Sequence, residues 1–81
     1  MPNNRGMTTT EAVQRACDSM GGIPKLADAI GVSLATIYEW RCGRRPVPAK
    51  RCLHIERATS GTIKCEDLRP DLDWAILRQP L

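Results

Sequence analysis

The fold of this chain is decided by a stretch that runs from Ile23 to Cys42 as IPKLADAIGVSLATIYEWRC. Leu26 and Ile30 are four residues apart, so their side chains share one face of a first helix. Ile37 and Trp40 are three residues apart and share one face of a second helix. The stretch therefore predicts two short amphipathic helices in close succession.

A tight turn joins these two predicted helices at Gly31-Val32-Ser33. Glycine ends helices well because it has no Cβ atom to clash in the left-handed conformation. The serine hydroxyl can accept a backbone N–H at the start of the next helix. Ala27 is small enough to let the second helix cross the first closely. Two helices that cross steeply over a turn of three or four residues form a helix-turn-helix unit.

The order of residues also matches the helix-turn-helix signature, counted from Ile23. Apolar side chains occupy the fourth, eighth, tenth, fifteenth and eighteenth positions, namely Leu26, Ile30, Val32, Ile37 and Trp40. Alanine is fifth and glycine is ninth. The motif predicts double-stranded DNA as the partner, although a helical hairpin without a DNA partner could show much of the same pattern.

The basic side chains are concentrated just after this unit, although the formal net charge is only +3. Residues 41–51 contain five basic side chains and no acidic one, whereas residues 65–81 hold four acidic side chains against two basic ones. A basic end and an acidic end suit a polyanion on one side of the molecule. The alternative is that the basic run is only a solvated face.

Helices are also predicted on both sides of the motif. Thr8 and Glu11 form a Thr-x-x-Glu capping box, and the apolar stripe that follows predicts a helix up to Gly21-Gly22. Pro24 suits the first position of the next helix, which would leave Ile23 as a poor N-cap. A fourth helix is expected from Ala49 to about residue 59, with Ala49, Cys52, Leu53 and, in part, Ile55 on its apolar face.

The two ends of the chain are less regular. Residues 1–7 are expected to be a flexible tail, from which Arg5 could reach a DNA groove, and residues 8–81 to be one domain. After residue 62 we expect one helical turn at Cys65–Leu68 and one more turn or an extended segment between Pro70 and Pro80, while a strand is an open alternative. The prediction is an all-α bundle of four or five short helices.

A recognition helix enters the major groove with its N-terminal end near the base edges. The predicted base or groove contacts are Ser33, Leu34, Ala35, Tyr38 and Glu39. Glu39 would be repelled by phosphate unless it accepts from cytosine or pairs with Arg41 or Lys25. The predicted phosphate contacts are Thr36, Arg41, Arg44, Arg45, Lys50 and Arg51. Phosphate contacts position a protein but do not discriminate sequence.

The apolar residues near the C-terminus predict self-association. A domain this small cannot easily bury Leu72, Trp74, Ile76 and Leu77 together, so we expect them to form the contact of a symmetric homodimer on a pseudo-palindromic operator. Trp74 suits either the core or the dimer contact. The alternative is that this segment folds back on its own core.

The remaining chemistry of the chain gives no sign of an enzyme or a cofactor. The four cysteines lack metal-ligand spacing, and His54 has no partner at a suitable distance in the sequence, so we expect neither a metal site nor a catalytic one. No signal peptide or membrane-spanning run is recognisable, so we expect a reducing compartment and no membrane partner.

Three further segments carry a resemblance to a known family: Ile37-Tyr38-Glu39-Trp40-Arg41, Gly43 to Cys52, and Glu66-Asp67-Leu68-Arg69-Pro70-Asp71. Over about residues 21–77 the chain resembles the Cro-like, YdaS-type small regulators of prophages. The resemblance implies a lambda-repressor-like helix-turn-helix bundle and a transcriptional repressor that binds operator DNA. Some relatives are called antitoxins, which implies a toxin-type protein as an alternative partner, held through the C-terminal segment.

Overall fold

The computed structural model describes residues 8–77 and shows six helices within that range. They are α1 (Thr9–Met20), α2 (Ile23–Ile30), α3 (Leu34–Arg41), α4 (Ala49–Ala58), α5 (Cys65–Leu68) and α6 (Trp74–Leu77). Residues 8–77 contain no strand, which confirms the all-α prediction. The number of helices exceeds the predicted four or five because the C-terminal segment forms two separate single-turn helices, α5 and α6. The predicted flexible tail at residues 1–7, with Arg5, lies outside the described residues, as do residues 78–81.

The capping box at the start of α1 is confirmed. The backbone N–H of Glu11 donates to the Thr8 hydroxyl at 3.1 Å, and the Thr8 N–H donates back to the Glu11 carboxylate at 2.9 Å. This backbone hydrogen bond is the main reason that the pKa of Glu11 is lowered. The helix ends at Met20, and its C-cap Gly21 adopts φ +93°.

The start of α2 corrects one prediction. Ile23 is the first helical residue, and the N-cap is Gly22, which has φ +132° and makes no side-chain capping bond. Glycine is required here because this φ is one that L side chains rarely adopt. Pro24 lies in the first turn, where a backbone N–H would have no acceptor within the helix, so the absence of an N–H in proline breaks no helical hydrogen bond.

One core joins all six helices. Its buried side chains come from α1 and α2 (Ala12, Val13, Ala16, Cys17, Leu26, Ala27, Ile30), from α3 and the following loop (Ile37, Trp40, Val47) and from α4 to α6 (Cys52, Ile55, Ile63, Cys65, Leu68, Trp74). The helix-turn-helix face assignments are therefore confirmed. The predicted face of α4 was partly wrong, because Leu53 is 41% exposed while Ile55 is fully buried. Cys52 and Ile55 share the inner face at i and i+3, and Leu53 is rotated away from it.

Candidate nucleic-acid interface

The turn between α2 and α3 has the geometry that the sequence predicts. Gly31 adopts φ +74°, and the N–H groups of Gly31 and Val32 both donate to the Ala27 carbonyl, at 2.9 and 3.0 Å. Ser33 is the N-cap of α3 and accepts the Thr36 backbone N–H at 3.2 Å. This cap presents the first turn of α3 at the surface of the domain.

The tip of α3, defined as Ser33, Leu34 and Ala35, is exposed along its whole length. Leu34 keeps 46% of its surface in solvent, as does Tyr38 one turn later. The hydroxyls of Ser33 and Thr36 lie 2.9 Å apart and share one hydrogen bond. Because that bond uses only one of the two hydroxyl protons, the other can be donated in a hydrogen bond to a DNA phosphate or base.

Glu39 has a different partner from the two that the sequence suggested. Its carboxylate lies 3.6 Å from the Arg45 guanidinium, rather than against Arg41 or Lys25. Both groups are well exposed, so the pair contributes only about 0–1 kcal/mol to stability. The pairing still neutralises a negative charge on the face of α3 that would repel phosphate.

Arg41 bridges α3 and α1. Its Nη1 donates to the Gln14 side-chain oxygen at 3.3 Å, and its guanidinium carbon lies 5.0 Å from the centre of the Tyr38 ring. Gln14 had no predicted role, and no sequence pattern joins two residues so far apart. These contacts orient Tyr38 at the surface of α3 through a cation–π interaction.

The loop of residues 42–48 between α3 and α4, called the basic loop, exposes Arg44 and Arg45. The backbone N–H groups of both arginines point to the Glu39 carbonyl, at 2.9 and 3.4 Å. Lys50 is also exposed, in the first turn of α4. The structure therefore exposes Arg44 and Arg45 just after α3, the latter paired with Glu39, and exposes Lys50 at the start of α4.

Arg51 behaves differently from the other predicted phosphate contacts. It is half-buried, and its Nη1 donates to the Ile30 carbonyl at 2.8 Å while lying 3.4 Å from His54 Nδ1. Ile30 is the last residue of α2, so Arg51 satisfies a helix-end carbonyl. The guanidinium thus supports the helix-turn-helix turn, a role that the sequence did not predict.

The predicted dimer residues divide into two groups. Trp74 is 3% exposed and its indole Nε1 donates to the Arg69 carbonyl at 2.7 Å, so it belongs to the core of one chain. Leu72 is half-buried against that core. Ile76 and Leu77 remain 64% and 49% exposed. A dimer contact through this segment stays a prediction, and it depends on Ile76 and Leu77.

Three of the four cysteines pack in the core. Cys17, Cys52 and Cys65 are buried, and Cys42 is exposed at the end of α3. Burial raises the pKa of the Cys52 thiol to about 12, which makes it a poor thiolate ligand. Residues 8–77 contain no group of three or more His, Cys, Asp or Glu side chains placed to hold a metal, and no helix there is long and apolar enough to cross a membrane.

Arg69 and Asp71 are interacting residues to which the sequence analysis gave no role. The Arg69 Nε and Nη2 donate to the two Asp71 carboxylate oxygens at 2.9 and 2.7 Å, and its Nη1 donates to the Val47 carbonyl at 3.1 Å. These hydrogen bonds lower the pKa of Asp71. Both residues belong to the Asp-Leu-Arg-Pro-Asp segment, which was the sequence signal that could have identified them. The contact with the basic loop could not be predicted in this way, because Arg69 and Val47 are 22 positions apart.

Comparison with known proteins agrees with this geometry. The family described as "Bacterial toxin YdaS" matches residues 13–77. The chain is 47% identical over 66 residues to YdaS of Escherichia coli (strain K12), a proposed transcriptional regulator, covering 82% of this chain and 67% of that protein. It also resembles the Cro protein from the proposed prophage element Xfaso 1 of Xylella fastidiosa strain Ann-1, with a TM-score of 0.71 and 42% identity over 76% of this chain and 94% of that one. The chain therefore belongs to the YdaS family of small, Cro-like helix-turn-helix proteins.

Proposed function

We propose that this protein is a DNA-binding transcriptional regulator that represses transcription from operator DNA, in the manner of a Cro protein. The observation that supports the proposal most is the exposed tip at the N-terminal end of α3, on a helix whose C-terminal end leads into the exposed cations of the basic loop. The relatives named as a regulator and as a Cro protein support the same function. Such a regulator would work in the bacterial cytoplasm, where the chromosome lies.

The two parts of this surface would act differently. The tip offers a hydroxyl from Ser33 and apolar atoms from Leu34 and Ala35, which suit a base edge and a thymine methyl group. The N-terminus of α3 adds partial positive charge toward the DNA. Arg44, Arg45 and Lys50 would bind phosphates and set affinity without discriminating sequence.

The test is a gel shift on DNA from upstream of the protein's own gene against random DNA at the same salt. Ala35→Asp should abolish binding, because a carboxylate at the tip would face the polyanion. Aspartate in the first turn of a helix is favourable to the helix, so the variant should remain folded. Ala29→Asp is the control for the added negative charge, since Ala29 is also exposed but borders a groove formed with His54 and Arg57. Because Ala29 lies in the last turn of α2, where a carboxylate is unfavourable, circular dichroism checks that this variant is folded. If Ala35→Asp bound DNA as well as Ala29→Asp does, the placement of the interface at the tip of α3 would be wrong.

A homodimer is the second part of the proposal. One tip without an arginine offers few base contacts, and helix-turn-helix proteins commonly read two half-sites about 34–36 Å apart. Ile76 and Leu77 supply an exposed apolar surface that a second copy can cover. We therefore propose a symmetric pair on a pseudo-palindromic operator.

A protein partner is the alternative function, and two observations favour it. The family description names a toxin, and Ile76 and Leu77 are exposed at the end of the described chain. As an antitoxin-type protein, the chain would bind a toxin through this segment and regulate its own promoter. Co-expression with the product of the adjacent gene tests this role: a complex that Ile76→Asp abolishes, while DNA binding is retained, would support it.

A further inference from the structure

The start of the basic loop is tied to the end of α3 by the backbone N–H groups of Arg44 and Arg45, and Val47 is buried in the core, but the end of the loop has few backbone donors of its own. Pro46 and Pro48 flank Val47, and neither proline has an N–H to donate. On the side toward α1 the loop borders an open cleft of about 360 Å³, lined in part by Thr9 and Thr10. The Val47 carbonyl accepts from side chains elsewhere in the chain, and one of them is the Cys52 thiol, whose Sγ lies 3.7 Å away.

Arg69 supplies such a donor. Its Nη1 donates to the Val47 carbonyl at 3.1 Å, while the opposite side of the guanidinium is bound by both Asp71 oxygens. Its backbone is fixed as well, because its N–H donates to the Cys65 carbonyl at 2.8 Å and its carbonyl accepts the Trp74 indole at 2.7 Å. Arg69 is thus anchored to the C-terminal segment on one side and to the loop on the other.

We propose that Arg69 is a positioning residue that fixes the basic loop so that Arg44 and Arg45 face the DNA backbone together. The proposal rests on the DNA-binding function proposed above. Arg69 acts through the loop, since its side chain is only 21% exposed and Nε, Nη1 and Nη2 all donate to the protein itself. Lysine cannot replace it, because an ammonium lacks the planar fork that spans Val47 and Asp71 at once.

The first experiment compares Arg69→Lys with Arg57→Lys in titrations of operator DNA against salt. Arg57 is an exposed arginine of α4 outside the predicted interface, so the same charge-conserving substitution there should leave the affinity and the salt slope unchanged. Arg69→Lys keeps the charge, yet it should weaken binding about tenfold and reduce the salt slope. In a protein that already carries Arg44→Ala and Arg45→Ala, the same substitution should cause no further loss. The proposal would be overturned if Arg69→Lys bound operator DNA with full affinity, or if it further weakened binding by the protein that carries Arg44→Ala and Arg45→Ala.

The second experiment needs no DNA. Hydrogen exchange of the Arg44 and Arg45 amides, which point to the Glu39 carbonyl, should be about tenfold faster in Arg69→Lys while the circular dichroism is unchanged. Asp71→Asn, an exposed change that loosens the fork, should accelerate the same amides by a smaller factor. Unchanged exchange in both variants would refute the positioning role. If the unmodified protein binds no DNA, the proposed function is wrong. The hydrogen-exchange rates would still show whether Arg69 fixes the conformation of the basic loop.

Discussion

Trp40→Ala should unfold this domain rather than remove DNA binding selectively. Trp40 is 3% exposed and lies in the core from the inner face of α3. A buried tryptophan removes about 150–250 Å² from water, which at about 25 cal/mol per Å² is about 4–6 kcal/mol. Large-to-small core substitutions of aromatic residues cost about 3–5 kcal/mol. Domains of this size are commonly stable by only about 3–5 kcal/mol, so the loss is comparable to the whole stability.

The assay is urea denaturation followed by far-ultraviolet circular dichroism. The unmodified protein should give a cooperative transition, whereas Trp40→Ala should lack helical signal even without urea. Tyr38→Ala is the matched control on the same helix: its ring is 46% exposed, so we expect a change of about 1 kcal/mol or less. A Trp40→Ala protein with normal helical signal and an unchanged midpoint would refute the packing argument.

Four further predictions concern the surface, the thiols and assembly. Arg44→Ala and Arg45→Ala should each reduce the slope of log affinity against log salt by about 0.9 and weaken operator and random DNA alike; a loss confined to the operator would indicate base contacts instead. Iodoacetamide at pH 8 should label exposed Cys42 quickly and leave Cys52 unlabelled in the folded protein, as mass spectrometry can check. Burial raises the pKa of the Cys52 thiol from 9.0 to about 12. The stability that the neutral buried thiol contributes is therefore fully present below pH 9 and declines as the pH rises toward 12. Unfolding midpoints measured across this pH range test this prediction. Ile76→Asp should shift sedimentation at high concentration from dimer to monomer, and a free protein that is monomeric at every concentration would contradict the proposed contact.

The helix-turn-helix could be predicted because its determinants are local. The spacing of Leu26 and Ile30 sets one helical face, Gly31 permits the left-handed turn, and Ser33 caps the next helix, all within a few residues. The capping box at Thr8 is equally local. Such signals involve neighbours three or four positions apart, which a sequence displays directly.

The roles of the arginines were decided only by the tertiary structure. Arg41, Arg44, Arg45 and Arg51 form one basic run in the sequence, but the fold gives them different partners. Arg41 contacts a helix 27 residues away in the chain and Arg51 contacts a carbonyl 21 residues away, while Arg44 remains exposed. A long, flexible cation can satisfy any acceptor within reach, and packing determines which acceptors are near.

The same reason explains the C-terminal segment. Its apolar pattern predicted burial but could not say whether one chain or two would provide it. The fold buries Trp74 in its own core and leaves Ile76 exposed. It also brings Arg69 against Val47 in the basic loop. The sequence by itself determined the first four helices and the DNA-binding motif, since these depend on local spacing, but it left helix or strand open after residue 62. The tertiary structure alone decided which charged and apolar side chains remain available, because that depends on contacts between distant parts of the chain.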